Sequence, residues 1–241
     1  MYAIFTPRSR IEVSNKMDTG FSMKKLAPRL EVLARWLDAD SCLVDIGCDH
    51  AWLPIYALRN GLVLRAIAVD RRPAPLALAK KHGANVPGLS FALSDGFRSL
   101  QLPPNSTVSI AGMGGLQICA ILEQAPWSQI RSIVLQPNRD AHLVRQYLAN
   151  QGWGTVQAMV YREQQRFFLS WKAQPISQKK PPGQWSWAEY WFEQHPQSEW
   201  YAWLNQRLGQ LQNILAQNPS TMIGAVEEEK LAIQNILIRC S

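Results

Sequence analysis

The stretch "DIGCDHAWLP", residues 45–54, puts an acidic residue and a glycine where an apolar run gives way to a helical pattern. In a dinucleotide-binding turn such a start leads to a second glycine, but here Asp49 stands in that place with His50 behind it. A pyrophosphate rests against the amino terminus of the helix that follows, and a carboxylate beside it would repel it. A ligand with positive charge and no phosphate suits Asp45, Gly47 and Asp49 better. S-adenosylmethionine is such a ligand, with an ammonium and a sulfonium. Asp70 closes "AIAVD" and Asp95 lies in "SDG", each at the end of a candidate strand. An acidic group at the end of the second strand can accept both ribose hydroxyls, and Asp95 is placed to accept from an adenine amino group. Each aspartate alone could be a helix cap. Together, at three successive strand ends, they point to an adenosyl cofactor.

The next two strand ends carry different chemistry. "SIAGMGG", 109–115, sets three glycines around Met113 just after a strand, and "LQPN", 135–138, ends the following one, so flexible backbone lies opposite an amide pair. Enzymes that methylate the exocyclic amine of adenine carry an Asn-Pro-Pro-aromatic motif on the fourth strand. Here Gly112 to Gly115 replaces it, which favours a ring nitrogen as acceptor. The N1 of adenine holds a free lone pair at neutral pH and needs no general base, so positioning and desolvation supply most of the catalysis. His50, His82 and His142 have no spacing suited to a metal, and no metal is expected.

Short apolar runs alternate with helical patterns along the chain, the rhythm of an α/β protein. Residues 42–46, 65–69, 89–93, 107–111 and 130–135 are expected as parallel strands, with helices at 51–60, 75–82, 116–124 and 140–151. Residues 155–161 and 165–171 are expected as an antiparallel hairpin around a turn at 162–164. The segment 174–185 is rich in Pro, Gly, Lys and Gln and is expected as a linker. Beyond it, Trp187, Tyr190, Trp191, Trp200, Trp203, Leu204, Leu208, Leu211, Ile214 and Leu215 recur at helical spacing, and 225–238 supplies one more helix. The expected organisation is an extension at 1–22, a catalytic domain at 23–173, and a small helical domain at 186–241 that docks RNA.

Composition agrees with a globular chain of 241 residues, 47% hydrophobic. No run approaches the roughly 18 apolar residues of a membrane span, and Met1 to Phe21 lacks the apolar core of a signal peptide, so a cytoplasmic monomer is expected. The four cysteines form no CxxC pair, which predicts reduced thiols. The net charge of +7 is concentrated in residues 1–36, which hold seven basic against three acidic residues. Such an arm suits contact with phosphates.

From Lys25 to about Trp171, and most of all in "DIGCDHAWLPIYAL", "SIAGMGG" and "LQPN", the chain resembles the bacterial tRNA (adenine-22-N1)-methyltransferases. The resemblance implies a class I methyltransferase fold, a Rossmann-like seven-stranded sheet followed by a small helical domain, with S-adenosylmethionine as cofactor and tRNA as partner. The implied cofactor positions are Asp45, Gly47, Asp49, His50, Asp70, Arg71, Asp95, Gly96 and Gly112. Gly112, Met113 and Gly114, with Gln136, Pro137 and Asn138, would frame the methyl-transfer site, and Lys25 and Arg29 would face RNA. The carboxyl-terminal region is shorter and richer in Trp than the family pattern. Another structured RNA, a small molecule, or RNA binding without catalysis are the competing readings. Asn138 has one too, as a cap for the helix that begins near Asp140.

Overall fold

The computed structural model describes residues 26–176, 198–217 and 223–239. The extension at 1–22, Lys25, Trp187, Tyr190, Trp191 and most of the expected linker lie outside the described residues. In chain order the elements are α1 Pro28–Ala34, β1 Cys42–Ile46, α2 Trp52–Arg59, β2 Arg65–Asp70, α3 Pro73–His82, β3 Leu89–Leu93, β4 Ser106–Gly114, α4 Gly115–Leu122, β5 Ile130–Arg139, α5 Ala141–Asn150, β6 Trp153–Glu163, β7 Arg166–Pro175, α6 Ser198–Gln217 and α7 Ile223–Arg239.

Local sequence accounts for these elements. All five residues of β1 are buried, as a strand covered on both faces requires. Helix α3 opens with Pro73, where a missing N–H costs nothing, and carries Lys80 and Lys81 in its last turn, whose positive charge suits a helix carboxyl terminus. Helix α5 buries Val144 and Leu148, four residues apart on one face.

The seven strands form one sheet in the order β3-β2-β1-β4-β5-β7-β6. Strands β1 to β5 are parallel, and β7 runs antiparallel to both β5 and β6. The chain builds outward from β1 in one direction and then restarts at β4 in the other. Helices leaving the two strands diverge there and open a crevice at the carboxyl ends, where α/β sheets bind ligands.

Three expectations are corrected. Strands β4 and β5 continue through Gly114 and Arg139, so Gly112, Met113 and Gly114 lie within a paired strand and not after it, Gly115 opens α4, and β5 runs one residue past "LQPN". Their pairing jumps at Ala111/Met113 and again at Met113/Gly114, a bulge that accommodates both Gly112 and the N–H-less Pro137. The hairpin is longer than expected: Glu163 pairs with Arg166, which leaves Gln164 and Gln165 as its turn. Gln174 and Pro175, read as linker, belong to β7 because Gly154 and Trp153 pair with them.

Helices α6 and α7 extend the main core. Trp200, Leu204, Leu211, Ile233 and Ile236 are buried in the same apolar cluster as Ile133, Leu135, Trp153 and Trp171 of the sheet. Arg207 and Glu229 clamp the two helices through bonds of 2.6 and 2.9 Å. Cys42 and Cys48 are free, buried thiols and Cys119 is a free, half-buried one.

A polar network fastens the opposite end of the sheet. The buried Lys172 ammonium of β7 lies 2.7 Å from Asp38, which also accepts hydrogen bonds from Ser132 at 2.5 Å and Thr107 at 3.1 Å. Burial alone would raise the Asp38 pKa. The bonds from Lys172, Ser132 and Thr107 and the Lys172 charge outweigh it and hold the carboxyl below its ordinary range.

Candidate active site

The turn after β1 is built by residues in unusual backbone conformations. Gly47 has φ of +76°, and an added Cβ would overlap the Met113 methyl. A side chain at 47 would have to displace the end of the Met113 side chain and would strain the positive-φ backbone. Asp49 and Ala51 are non-glycine residues at φ of 49° and 58°, local strain of a kind that gathers at ligand sites. The N–H groups of Gly47 and Cys48 both donate to the Val69 carbonyl, at 2.8 and 2.9 Å, and tie this turn to the end of β2.

Four carboxylates gather around the turn. Asp45 is buried, and its carboxyl is pushed up to about 7. Burial is the main cause; the Ser109 hydroxyl opposes it and the Asp70 charge adds to it. Asp70 is 3% exposed and accepts from the N–H groups of Asp49 at 3.2 Å and Arg72 at 2.9 Å. The Arg72 guanidinium adds a contact at 3.4 Å. Asp49 is exposed, within 3.6 Å of His50 Nε2 and 3.9 Å of Arg72. Asp95 is exposed and lies 3.7 Å from Arg98.

A cavity of about 450 Å³ occupies the crevice, and Asp45, Gly47, Asp49, His50, Asp70, Arg71, Asp95, Gly96 and Gly112 all line it. Met113 lines it too, from the β4 side. Arg29, expected to face RNA, stands on the wall of this same cavity and reaches Glu163 at 3.9 Å. Cys48, Trp52, Arg72 and Gln117 are wall residues that the sequence reading missed. Arg72 had a signal: it stands two residues after the strand-ending Asp70 and directly before Pro73, so its N–H points back toward that carboxylate. Trp52 and Gln117 had none beyond their place in the first turn of a helix.

Pro137 and Asn138 line a second cavity, of about 330 Å³, on the other side of the β4–β5 ends. Gln136 is fully buried; its amide N–H donates to the Pro137 carbonyl at 3.1 Å and to Asn138 Oδ1 at 3.2 Å. Asn138 in turn donates to the Gly112 carbonyl at 2.7 Å. The chain Gln136–Asn138–Gly112 thus fixes one amide across the bulge between the two cavities. Among the described residues nothing donates to the buried Gln136 Oε1. Asn138 does not cap α5: its cap position is Asp140, with no side-chain cap bond. Gly114 sits under Arg139, whose Nε an added Cβ would meet at 3.1 Å.

A family model described as a methyltransferase domain matches residues 26–169, more than half of the chain. The chain belongs to that family. Over 145 residues this methyltransferase-domain chain is 32% identical to the tRNA (adenine(22)-N(1))-methyltransferase of Bacillus subtilis (strain 168), covering 58% of this chain and 60% of that protein. The chain thus spans about 60% of the length of that curated relative. The crystal structure of the B. subtilis M1A22 tRNA methyltransferase TrmK superposes with a TM-score of 0.68 at 23% identity, covering 89% of this chain and 95% of that one. M. capricolum TrmK, solved in complex with S-adenosyl-homocysteine, gives 0.74 at 21% identity, covering 87% and 96%. At these identities the structural likeness concerns the fold, and it extends to the seven-stranded sheet of a class I methyltransferase. Among the described residues no helix is long and apolar enough to cross a membrane, and no three His, Cys, Asp or Glu side chains gather as a metal site.

Proposed function

We propose that the protein transfers a methyl group from S-adenosylmethionine to N1 of an adenine in tRNA, adenine 22, and works as a monomer in the cytoplasm. The observation that carries this reading is the pairing, across one bulge, of a carboxylate-walled cavity with a fixed amide at Asn138. The name of the B. subtilis relative supports the substrate.

The residues fit the cofactor. Asp45 is a buried carboxyl held near neutrality by burial, and a neighbouring cation would restore its charge. The Gly47 turn brings bare backbone to the cavity wall, where an added Cβ would collide with the Met113 methyl. Asp45, Gly47, Asp49 and His50 would hold the amino-acid portion, Asp70 and Arg71 the ribose, and Asp95 and Gly96 the adenine. When bound, S-adenosylmethionine supplies a methyl carbon made electrophilic by its sulfonium. Gly112, Met113 and Gly114 then shape the passage to the second cavity, and Pro137 and Asn138 face the target base with the buried Gln136 behind them. The Asn138 amide oxygen accepts from the adenine amino group and leaves N1 free, with Gln136 holding that amide in place. Lys25 and Arg29 contact RNA. Because the N1 lone pair is available at neutral pH, these residues position and desolvate it and remove no proton.

Asp70→Ala is expected to weaken cofactor binding by about 1 to 3 kcal/mol, the scale of a lost charged acceptor. Unchanged affinity by calorimetry in a folded variant would remove Asp70 from the cofactor site. Asp45 makes binding pH-dependent. Its raised pKa means that the free protein holds a proton up to about pH 7, so stability through this group falls as pH rises through that value. A cationic ligand favours the ionised form; affinity should climb as pH rises toward and past 7, with proton release below it. Calorimetry in two buffers of different protonation enthalpy measures that release, and Asp45→Asn should abolish it. Binding without proton release in the parent would exclude contact between Asp45 and the cofactor's charge.

The reading itself is tested by incubating the protein with labelled cofactor and total tRNA and then analysing nucleosides. Label in 1-methyladenosine is the expected result. Label in a small molecule that bulk tRNA does not compete away, or in none of the nucleosides, would overturn it.

A further inference from the structure

The cavity that faces the target base is walled by three elements: Pro137 and Asn138 come from β5, Phe167 and Leu169 from β7, and Trp203 from α6. At about 330 Å³ it has the size of a small-ligand site. Arg139, Arg145, Arg166 and Arg207 line it as well, and each is already engaged. Arg207 is clamped to Glu229, Arg139 lies 3.7 Å from Asp140, Arg166 lies over the Phe168 ring at 6.0 Å, and Arg145 has a partner of its own. The Arg162 guanidinium sits over the Phe167 ring at 5.8 Å and occupies one of its faces. Trp203 differs from these groups. It is half-buried, and the buried Trp200, one helical turn earlier, meets it edge to face with ring centroids 5.8 Å apart and planes at 88°. Whichever ring presents its edge, that contact leaves at least one face of the Trp203 indole. Trp200 is 1% exposed and belongs to the apolar cluster shared with the sheet, so the pose of Trp203 is set against the same sheet that carries Asn138. A flat wall held in this way loses little freedom when a ligand settles on it.

Building on the proposed function, we infer that Trp203 is the stacking platform of the target adenine, so that helix α6 completes the acceptor pocket. The Asn138 amide holds one edge of the base and leaves the ring free to turn about that hydrogen bond. Methyl transfer demands more, because the N1 lone pair lies in the ring plane and must point along the methyl–sulfur axis. An indole face against the base removes that rotation. Stacking accepts any base by its π face, which leaves the choice of adenine to the edge contacts. The platform also answers the charge that moves in the reaction. As the N1–CH3 bond forms and the CH3–S bond breaks, the sulfonium becomes a neutral thioether and positive charge appears on the adenine ring. The face of an indole attracts a cation, so Trp203 holds the transition state more tightly than the neutral base.

The test measures methylation of an unmodified tRNA transcript at saturating cofactor by the parent, Trp203→Leu and Trp203→Phe, with cofactor affinity and thermal unfolding as controls for folding. Leucine keeps apolar volume without an aromatic face, and phenylalanine keeps both. Trp203→Leu should lower kcat/KM for tRNA by about 10- to 100-fold, the size of one lost base–aromatic stack, with part of the loss in kcat. Trp203→Phe should recover most of that loss, whereas a role in packing alone would treat the two variants alike. A second measurement uses a transcript with 2-aminopurine in place of adenine 22, whose fluorescence is quenched by stacking. The complex with the parent should be dark and the complex with Trp203→Leu bright. A bright complex with the parent overturns the inference whether or not the variants fold. A folded Trp203→Leu that methylates as fast as the parent overturns it too, as do two equally slow variants whose complexes are as dark as the parent's. If the parent makes 1-methyladenosine, those results leave the proposed function standing. A parent that makes none refutes both.

Discussion

Asn138→Ala is expected to lower turnover by about 10- to 1000-fold, the effect of losing one group that positions the reacting base, while tRNA and cofactor affinities hardly change. The side chain is exposed, yet its amide is committed at both ends: Nδ2 donates to the Gly112 carbonyl and Oδ1 accepts from Gln136. One lone pair of Oδ1 remains for the adenine amino group. Asn138→Asp should be impaired as well, because a carboxylate cannot donate to the Gly112 carbonyl and would set a negative charge against it. A helix cap would tolerate that change, since Asp caps as well as Asn. Steady-state turnover of both variants decides the matter: if both run as fast as the parent, Asn138 has no part in positioning the base.

The second large effect concerns stability. Asp38→Asn should cost about 3 kcal/mol in denaturant unfolding at neutral pH, because it strands the buried Lys172 ammonium without its counter-charge. Asp38→Asn combined with Lys172→Met should recover most of that loss, since a buried ion pair as a whole contributes little compared with an apolar substitute. The depressed Asp38 pKa also fixes a pH window. Its contribution is complete above the ordinary carboxylate pKa and is lost as pH falls through the lower folded-state value. The double variant should lack this acid-sensitive component. A single variant within about 1 kcal/mol of the parent would show that Lys172 does not depend on Asp38 for its partner.

The sheet and the crevice at its carboxyl ends were legible because their signals are local. Strands β1 to β3 are short apolar runs, and Asp45, Asp70 and Asp95 mark the strand ends, or the turn just after, where they line the crevice. The ends of β4 and β5 were not, because Gly112 and Pro137 read as breakers. In the fold a bulge pairs Met113 with Pro137 and carries both strands on. The burial of Trp200 and Leu204 followed from helical spacing, but nothing in that spacing said that their partners would be strands of the sheet. The arginine-lined cavity was the least legible feature. Arg139, Arg145, Arg166 and Arg207 are scattered over 69 positions and converge only through the β6–β7 hairpin and the packing of α6.

The most direct measurement is reverse transcription across a bacterial tRNA transcript after incubation with the protein and S-adenosylmethionine, since a methyl group on N1 blocks Watson–Crick pairing. The account predicts a strong arrest at adenine 22 that disappears when that adenine is replaced by guanine and when Asp70→Ala is used at low cofactor concentration. Read-through at position 22, with methyl label found on another base or on no RNA at all, would contradict it.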